Sequence, residues 1–350
     1  MKRSGHIFER VCEIDNIKIA ILRSSLGKRD RSYVKKIIDN SDQYAKEIRE
    51  MLINKSYIHS TYTIKIIRDG PSQKERQIFK PRYYPDQVIH WALMLQLHDL
   101  FMHGTYEYSC GSIPGRGTSY GQKFLRRWLD KDYKGTKYCL KMDISKFYPS
   151  VDISILKRML RRKIKDQDCL WLIDQILDSN TQGLPIGNYT SQWLSNFFLQ
   201  DLDHLIKEKL GVRYYIRYID DLVILGGNKY KLHQIRKEIE EYLKTIQLDL
   251  KNDWQVFLIT RRAIDFLGLR FFRDKTILRK RNSLRIRRRI EKIHRKPELN
   301  YRDACAMVSY WGWIKRSDSF NFYNQYIKPK VSLKHAKGVI SNYAHLRANS

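Results

Sequence analysis

The stretch VRYYIRYIDDLVILGG (residues 212–227) sets two adjacent carboxylates, Asp220 and Asp221, between two runs of β-branched, aliphatic and aromatic residues. Apolar runs on both sides of a short polar break are typical of a β-hairpin. Asp is a common turn residue, so this pair taken alone favours a structural role over a catalytic one. The stretch therefore predicts a hairpin that carries two carboxylates at its turn.

A third carboxylate ends the strand predicted for KYCLKMDIS (residues 137–145), where Asp143 follows an apolar run. If the two strand ends converge, Asp143 lies beside Asp220 and Asp221. Ionised carboxylates that close repel one another unless cations neutralise them. Two Mg²⁺ ions about 3.5–4 Å apart remove that repulsion and catalyse in-line nucleotidyl transfer, and hard oxygen ligands select Mg²⁺. The pattern favours a two-metal centre, with Mn²⁺ as a substitute ion.

The composition of the chain points to a polyanionic partner. Its 350 residues include 67 Lys and Arg against 37 Asp and Glu, which leaves a formal net charge of +30. Because 42% of the residues are hydrophobic and 12% are aromatic, the chain can bury a core, which excludes a disordered basic tail. We expect nucleic acid to meet the excess charge, ahead of an anionic membrane.

Several other classes lack their sequence signals. No stretch approaches the roughly 18 apolar residues of a membrane span, and the start MKRSGHIFERV lacks a signal peptide's apolar region. The five cysteines are odd in number and never form CxxC, which argues against a disulfide framework and a zinc site. The ten histidines show no HExxH spacing. We expect a cytoplasmic protein.

Hydrophobic periodicity divides the rest of the chain into an α+β pattern. Helices are predicted for residues 6–53 with a break at 27–32, and for 81–100, 151–178, 189–210, 232–246 and 304–326. Strands are predicted for residues 61–69 and 74–80, joined by turn residues 70–72, and for 137–145, 255–259 and 264–272. Asp152 is predicted to cap the helix that follows it.

Five collinear motifs together resemble a reverse transcriptase, and the resemblance covers nearly the whole chain. KMDISKFYPSVD (141–152) and RYIDDLVIL (217–225) are similar to motifs A and C of the palm. KERQI (74–78) is similar to the fingers motif K-x-R-x-I, SCGSIPGRGT (109–118) to the Gly/Arg-rich segment before motif A, and IDFLGLRF (264–271) to the primer-grip motif. The resemblance implies an RNA-directed DNA polymerase, a nucleotidyltransferase that binds template RNA, a DNA primer and dNTPs.

The same resemblance implies an α+β, right-hand polymerase fold with fingers, palm and helical thumb. Residues 1–136 would form N-terminal helices and fingers, and residues 137–272 would form the palm with motifs A to E. Residues 273–350 would form a basic helical thumb and a C-terminal tail. No endonuclease or second maturase domain is expected after this thumb.

The segment GLPIGNYTSQWLSNFFLQDLDH (residues 183–204) bears on the branch of the family. Ile186-Gly187 with Ser191-Gln192 resembles the IG-x-x-x-SQ pattern of diversity-generating retroelement enzymes, whereas group II intron enzymes usually read LPQG and SP. WQVF (254–257) resembles the same branch. The resemblance implies bacterial or phage-encoded copying of a template-repeat RNA, errors mainly opposite adenine, mutagenic retrohoming of a variable gene, and a small basic oligomeric accessory protein.

Two alternatives stay open. Ile186 and Gln192 are also compatible with a retron, phage-defence or group II enzyme of ordinary fidelity. A catalytically idle RNA-binding protein on a palm scaffold would also carry the basic surface, although three intact carboxylates argue against it.

The resemblance assigns roles around the reaction centre. Asp143, Asp220 and Asp221 would hold the metals, with the backbone carbonyl of Ile144 as an additional ligand. Tyr148 matches the position that the family sets against a ribose 2′-hydroxyl, although a packing role is the alternative. The predicted dNTP-binding residues are Lys74, Arg76, Ile144, Phe147, Tyr148, Ile186, Gly187, Gln192 and Lys251.

Three of these assignments rest on a specific feature of the sequence. Lys74 and Arg76 would point to one face of a strand and aim cations at the triphosphate. Ile186 replaces the family's usual polar Gln, so we hypothesise that Ile186 and Arg76 tune infidelity at adenine. Motif D departs from the family pattern, so Lys251 is either a general acid or a surface lysine.

The remaining candidates concern nucleic acid. Phe266, Leu267 and Gly268 match the primer grip, where Gly would allow close backbone approach; a core strand explains Phe266 and Leu267 as well. Predicted backbone contacts are Arg116, Arg285, Arg287, Arg288, Arg289 and Lys292. A solvated charged face or, for Arg116, a simple turn is the alternative reading.

Overall fold

The computed structural model describes residues 3–69 and 74–348. The predicted N-terminal helical region forms α1 (Ile7–Val11), α2 (Ile14–Ser24), α3 (Ser32–Asp39) and α4 (Ser41–Ile53). The helices that follow are α5 (Val88–His103), α6 (Thr118–Lys131), α7 (Phe147–Ser150), α8 (Ile153–Lys163), α9 (Gln167–Leu177), α10 (Tyr189–Phe198), α11 (Gln200–His204) and α12 (Lys229–Thr245). The C-terminal helices are α13 (Lys280–His294), α14 (Tyr301–Ile314), α15 (Phe320–Tyr326) and α16 (Leu333–Ala348).

The strands of the described residues form three sheets. A separate hairpin pairs β1 (Thr63–Asp69) with β2 (Lys74–Lys80), as the alternation predicts. The central sheet has the order β3-β5-β6-β4-β7, built from β3 (Ser109–Cys110), β4 (Tyr138–Asp143), β5 (Tyr214–Tyr218), β6 (Asp221–Gly226) and β7 (Gln255–Leu258). A third sheet joins β8 (Ile264–Phe266), β9 (Leu269–Phe271) and β10 (Thr276–Leu278). This arrangement confirms the α+β right-hand polymerase fold with fingers, palm and helical thumb.

The central sheet separates two hydrophobic cores because successive side chains of a strand point to opposite faces. On β6, Leu222 and Ile224 enter a core shared with the N-terminal helices, whereas Val223 and Leu225 enter a core shared with the C-terminal helices. All four are at most 3% exposed. The packing therefore joins segments across the expected boundaries at 136/137 and 272/273, and that division stays a prediction.

The segment at residues 264–272 departs from the single strand that its pattern predicts. Leu267 and Gly268 have φ values of 49° and 81°, so the backbone reverses there and β8 pairs antiparallel with β9. Hydrophobic periodicity does not predict this turn because the apolar pattern continues through it. Phe266 before the turn and Leu269 after it are both fully buried.

Other local predictions are confirmed. The Asp152 carboxylate accepts a hydrogen bond from the backbone N–H of Ile155 at 2.8 Å, which caps α8. Among the described helices, none combines the length and apolarity needed to cross a bilayer.

The loop at residues 183–188 joins the fingers hairpin to the palm. The Leu184 N–H donates to the Tyr148 carbonyl at 2.8 Å, and the Phe79 N–H on β2 donates to the Ile186 carbonyl at 2.7 Å. A Cβ at Gly187 would lie 2.4 Å from the Phe79 carbonyl oxygen. The loop therefore fits between α7 and β2 only because glycine allows close backbone approach.

Gly183→Ala should destabilise the protein by about 2–4 kcal/mol, because Gly183 has a φ of 58° and the new Cβ would overlap backbone oxygen. The built Cβ lies 2.4 Å from the Tyr148 oxygen and 2.5 Å from the Pro149 oxygen. Urea unfolding measures the change. The control is Gly338→Ala at an exposed position of α16, which should stabilise by about 0.5–1 kcal/mol; equal midpoints for both variants would contradict the packing described.

Candidate active site

The register between β4 and β6 brings three carboxylates to one end of the central sheet. Asp143 and Asp221 are direct Cα partners in the antiparallel ladder, and Asp220 occupies the turn between β5 and β6. The Ile144 N–H donates to the Asp220 carbonyl at 3.1 Å, which ties the turn to the end of β4. The two strand ends therefore converge as the sequence predicts.

Burial and mutual repulsion act on two of these carboxylates. Burial, with Asp143 second, raises the pKa of Asp220. Burial also raises the pKa of Asp221 to about 7, with Asp143 and Asp220 adding to the rise and Lys141 opposing it. The Oδ1 atom of Asp221 is buried without a hydrogen-bond partner in the described part of the chain. Burial and mutual repulsion therefore both oppose ionisation of Asp220 and Asp221.

Two lysine ammonium groups lie beside these carboxylates. The Lys141 Nζ lies 3.7 Å from Asp221 Oδ2, and the Lys251 Nζ contacts Asp143 Oδ1. The Lys251 N–H also donates to the Asp143 carbonyl at 2.9 Å, so residue 251 is fixed beside β4 rather than loose on the surface. Sequence reasoning weighed Lys251 but missed Lys141, although a lysine in an apolar strand two residues before Asp143 was a visible signal.

The donor chemistry fits a divalent cation. Carboxylate oxygens are the ligands that Mg²⁺ prefers, and the Asp221 Oδ1 atom has no other partner. Within residues 3–69 and 74–348, no group of three or more His, Cys, Asp and Glu side chains could hold a metal ion as arranged. A bound metal would therefore require the carboxylate side chains, and the lysines that contact them, to rearrange.

Several predicted nucleotide residues surround this centre. Arg76 on β2 lies close enough to Asp220 to lower that carboxyl's pKa, which partly offsets burial. The side chain of Lys74 lies outside the described part of the chain, so its role stays a prediction. Ile186 is half-buried in the loop under β2, and Gln192 is exposed on α10.

The residues after Asp143 divide into buried and half-buried positions. The Ile144 side chain is fully buried, and Phe147 is 2% exposed in the core, in edge-to-face contact with Tyr148. Phe147 therefore has no exposed side chain with which to make the predicted nucleotide contact. Tyr148 is half-buried; its hydroxyl accepts from Ser195 at 3.4 Å, and burial with nearby Asp220 raises its pKa.

A cleft of about 490 Å³ lies beside the carboxylates, and its lining includes Lys141, Asp143, Asp265 and Arg279. The Arg279 guanidinium forms an ion pair with Asp265, so the lining of this cleft carries both positive and negative charge.

The predicted primer-grip turn is held by the protein itself. The Leu267 carbonyl accepts from Gln122 at 2.9 Å, and the Gly268 carbonyl accepts from Asn282 at 2.9 Å. A Cβ at Gly268 would meet Asn282 and Trp313 within 3.1 Å, so its close neighbours are protein side chains. Phe266 is fully buried, as a core strand requires.

The predicted backbone-contact residues have different environments. Arg116 donates to the Tyr106 carbonyl at 3.0 Å, which fits a turn. Arg289 pairs with Asp303, a fully buried carboxylate that Lys296 also contacts, so Arg289 fastens α13 to α14. The exposed members of the basic face of α13 are Arg285, Arg287, Arg288 and Lys292.

The basic face of α13 contains aromatic contacts and an open groove. Arg285 lies over the Trp313 ring at 5.8 Å, and Arg287 lies over the Tyr326 ring at 4.7 Å. The groove, about 700 Å³, is lined by α13 residues that include Arg285, Arg288 and Lys292. Its shape and charge suit a phosphate backbone.

Comparison with known proteins gives a consistent result. A family model described as reverse transcriptase (RNA-dependent DNA polymerase) matches residues 74–271. The Retron Ec73 reverse transcriptase of Escherichia coli is 26% identical over 155 residues, covering 39% of this chain and 49% of that protein. Protein YkfC of Escherichia coli (strain K12) is 21% identical over 235 residues, covering 55% and 62%. The chain thus spans about half to three fifths of these relatives.

Solved structures of two telomerases are also similar. The apo telomerase from Candida tropicalis has a TM-score of 0.46 at 14% identity, and the match covers 62% of this chain and 48% of the telomerase chain. The Candida albicans telomerase in complex with a TWJ fragment of telomeric RNA has a TM-score of 0.46 at 14% identity, covering 65% and 50%.

Asp221→Asn should stabilise the metal-free protein more at pH 8 than at pH 5. The folded pKa of Asp221 is about 7 against about 3.9 in an unfolded chain, so stability from this group is complete below pH 4 and is lost as pH rises through 7. Asn does not ionise, so the gain should grow by about 2–3 kcal/mol between pH 5 and pH 8.

Chemical denaturation in EDTA measures this difference. The matched control is Asp274→Asn, which removes an exposed carboxylate and should show no such growth. A gain for Asp221→Asn that is constant or shrinks with pH would contradict the charge burial at the site.

Proposed function

The chain belongs to the reverse transcriptase family, and we propose that it is an RNA-directed DNA polymerase that acts by two-metal nucleotidyl transfer. The observation that carries the proposal is the β4–β6 register, which sets Asp143 opposite Asp221 with Asp220 beside them. Three converging carboxylates are unfavourable in the protein alone. Cations bound between these carboxylates would offset their mutual repulsion.

The residues divide the chemical work. Asp143, Asp220 and Asp221 would hold divalent ions, with the Ile144 carbonyl as an additional oxygen. When bound, Mg²⁺ supplies the charge that activates a primer 3′-hydroxyl and neutralises the pyrophosphate. Lys251, whose ammonium contacts Asp143, would donate a proton to the leaving group or hold it by charge.

The fingers and the thumb would hold the substrates. Arg76 brings a guanidinium near Asp220, where it can bind the incoming triphosphate. The exposed arginines and Lys292 on α13 present a basic face along which a template–primer duplex can lie. The cleft bordered by Lys141 and Arg279 includes Asp143 and reaches Lys280, the first residue of α13, so it connects the carboxylates with the start of the basic helix.

For the branch of the family, we propose a diversity-generating retroelement enzyme. It would copy a template-repeat RNA with errors at adenine, for mutagenic retrohoming of a variable gene, with a small basic accessory protein. The support is the Ile186-Gly187 and Ser191-Gln192 pattern, which lies in the loop and helix beside β2. An apolar Ile186 offers no hydrogen bond to check the nascent pair.

A retron enzyme of ordinary fidelity is the second candidate. The specific observation in its favour is the 26% identity to the Retron Ec73 reverse transcriptase over 155 residues.

Primer extension tests the proposed activity. Wild type with Mg²⁺ should extend a DNA primer on an RNA template, and Asp220→Asn/Asp221→Asn should lose at least about 10³-fold in rate because two of the three carboxylate ligands are altered. Sequenced products should show errors concentrated opposite adenine. Accurate copying would instead favour the retron candidate. No wild-type extension, with accessory protein and native RNA supplied, would contradict the polymerase and favour the RNA-binding scaffold.

Ile186→Gln should lower the error rate opposite adenine by several-fold, since a Gln restores a hydrogen-bonding side chain beside the nascent pair. Sequencing of cDNA from the same template measures the spectrum. The control is Ile19→Gln, the same change at a 47% exposed position on α2. An unchanged spectrum in Ile186→Gln would remove Ile186 from the account of fidelity.

A further inference from the structure

Arg217 is a buried charge three residues before Asp220. Its side chain is 1% exposed and points into the core from β5, in a run of aromatic and aliphatic residues. A guanidinium in such surroundings is unfavourable unless it is paired and fully hydrogen-bonded. Arg217 is the first residue of the RYIDDLVIL motif, but the proposed chemistry gives it no role.

The partners of Arg217 form a closed network. Its Nε and Nη2 donate to the two carboxylate oxygens of Asp203 at 2.8 and 2.6 Å, a bidentate pair with Asp203 fully buried. Its Nη1 donates to Asn196 Oδ1 at 3.2 Å and to the backbone carbonyl of Ile219 at 2.9 Å. The last bond joins the network to the catalytic turn.

Ile219 is the residue of that turn whose backbone is strained. Its φ is 57°, in the left-handed region, where a β-branched side chain is an outlier. Such a conformation persists only when the surrounding structure holds it, and such residues cluster at functional sites. The Ile219 N–H donates to the Cys110 carbonyl at 3.3 Å, and its carbonyl is held by Arg217.

We propose that Arg217, anchored by Asp203 and Asn196, is a positioning residue that holds the Ile219 carbonyl and thereby fixes the turn carrying Asp220 and Asp221. The inference rests on the proposed polymerase function. In this proposal Arg217 has no contact with substrate. It holds the Ile219 carbonyl, and the Ile219 backbone positions the two residues that follow, Asp220 and Asp221.

The network also ties the turn to the nucleotide side of the site. Asn196 lies on α10, the helix that carries Gln192, and its amide donates to the carbonyls of Gly111 and Gln192 at 3.0 and 3.1 Å. Gly111 in turn packs on Ile219, since a Cβ there would lie 3.0 Å from the Ile219 side chain. The Arg217 guanidinium therefore fixes the position of α10 relative to the turn that carries Asp220 and Asp221.

Replacing the whole ion pair separates positioning from stability. Apolar replacement of a buried pair is often neutral or stabilising, but the buried Tyr215 hydroxyl, which donates to Asp203 at 2.7 Å, loses its acceptor; Asp203→Leu/Arg217→Met should therefore fold with a melting temperature about 5 °C below that of wild type. Its kcat should nevertheless fall about 10- to 100-fold, because small misplacements of reacting groups carry such losses. The KM for dNTP should change by less than about threefold, since no binding contact is removed.

A readout independent of activity is amide hydrogen exchange at the turn. The Ile144 N–H donates to the Asp220 carbonyl, and the Ile219 N–H donates to the Cys110 carbonyl. Both amides should therefore exchange faster in the double variant, whereas the amides of β5 should exchange at the wild-type rate. Adding Ile219→Asn should recover several-fold of the lost kcat, because Asn tolerates the left-handed region.

Controls and contrary outcomes complete the test. Tyr214→Phe, at the far end of β5, removes a hydrogen bond to Asp132 and should lower the melting temperature without lowering kcat. If the double variant does not fold, Arg217→Lys serves instead, because Lys lacks the fork that reaches Asp203 and Ile219 together. Wild-type kcat and wild-type exchange at Ile144 and Ile219 in the folded variant would overturn the proposal.

The exchange measurement keeps the two proposals distinguishable. An inactive wild-type enzyme whose turn amides still depend on Arg217 would contradict the polymerase function and support the positioning role. An active enzyme with unchanged exchange and kcat in the variant would do the reverse.

Discussion

Repulsion among three carboxylates at one end of the central sheet is the constraint on which the rest of this structure depends. Asp143, Asp220 and Asp221 are held together by backbone pairing, at positions where burial opposes ionisation of Asp220 and Asp221. The surrounding cations, Lys141 and Lys251, oppose that repulsion without removing it. In the proposed two-metal mechanism, bound divalent cations would offset this repulsion.

The two hydrophobic cores supply the force that keeps the carboxylates in register. A shift of β4 by one residue would turn Leu140 away from one core and Cys139 away from the other. Both side chains are fully buried, so the shift would expose apolar surface on both faces of the sheet. The alternation of apolar residues thus positions Asp143 and Asp221 as well as the core.

Sequence reasoning succeeded where a local pattern has one physical solution. Strand ends with apolar runs predicted the convergence of Asp143 with the Asp220-Asp221 turn, and Asp152 was predictable as a cap because capping needs only neighbours in sequence. It failed where distant partners decide. The pairing of Arg289 with Asp303 and of Arg217 with Asp203 depends on tertiary packing, although an arginine inside the YYIRYI run was a signal that could have been followed.

The central claim is that the converging carboxylates are a divalent-metal centre, and anomalous scattering from crystals soaked in Mn²⁺ tests it most directly. The account predicts anomalous peaks coordinated by Asp143 and by the Asp220-Asp221 turn, with the Lys251 ammonium displaced from Asp143. Crystals of Asp220→Asn/Asp221→Asn should lack those peaks under the same soak. Absence of a peak at saturating Mn²⁺ in the wild-type protein, with Lys141 and Lys251 still on the carboxylates, would contradict it.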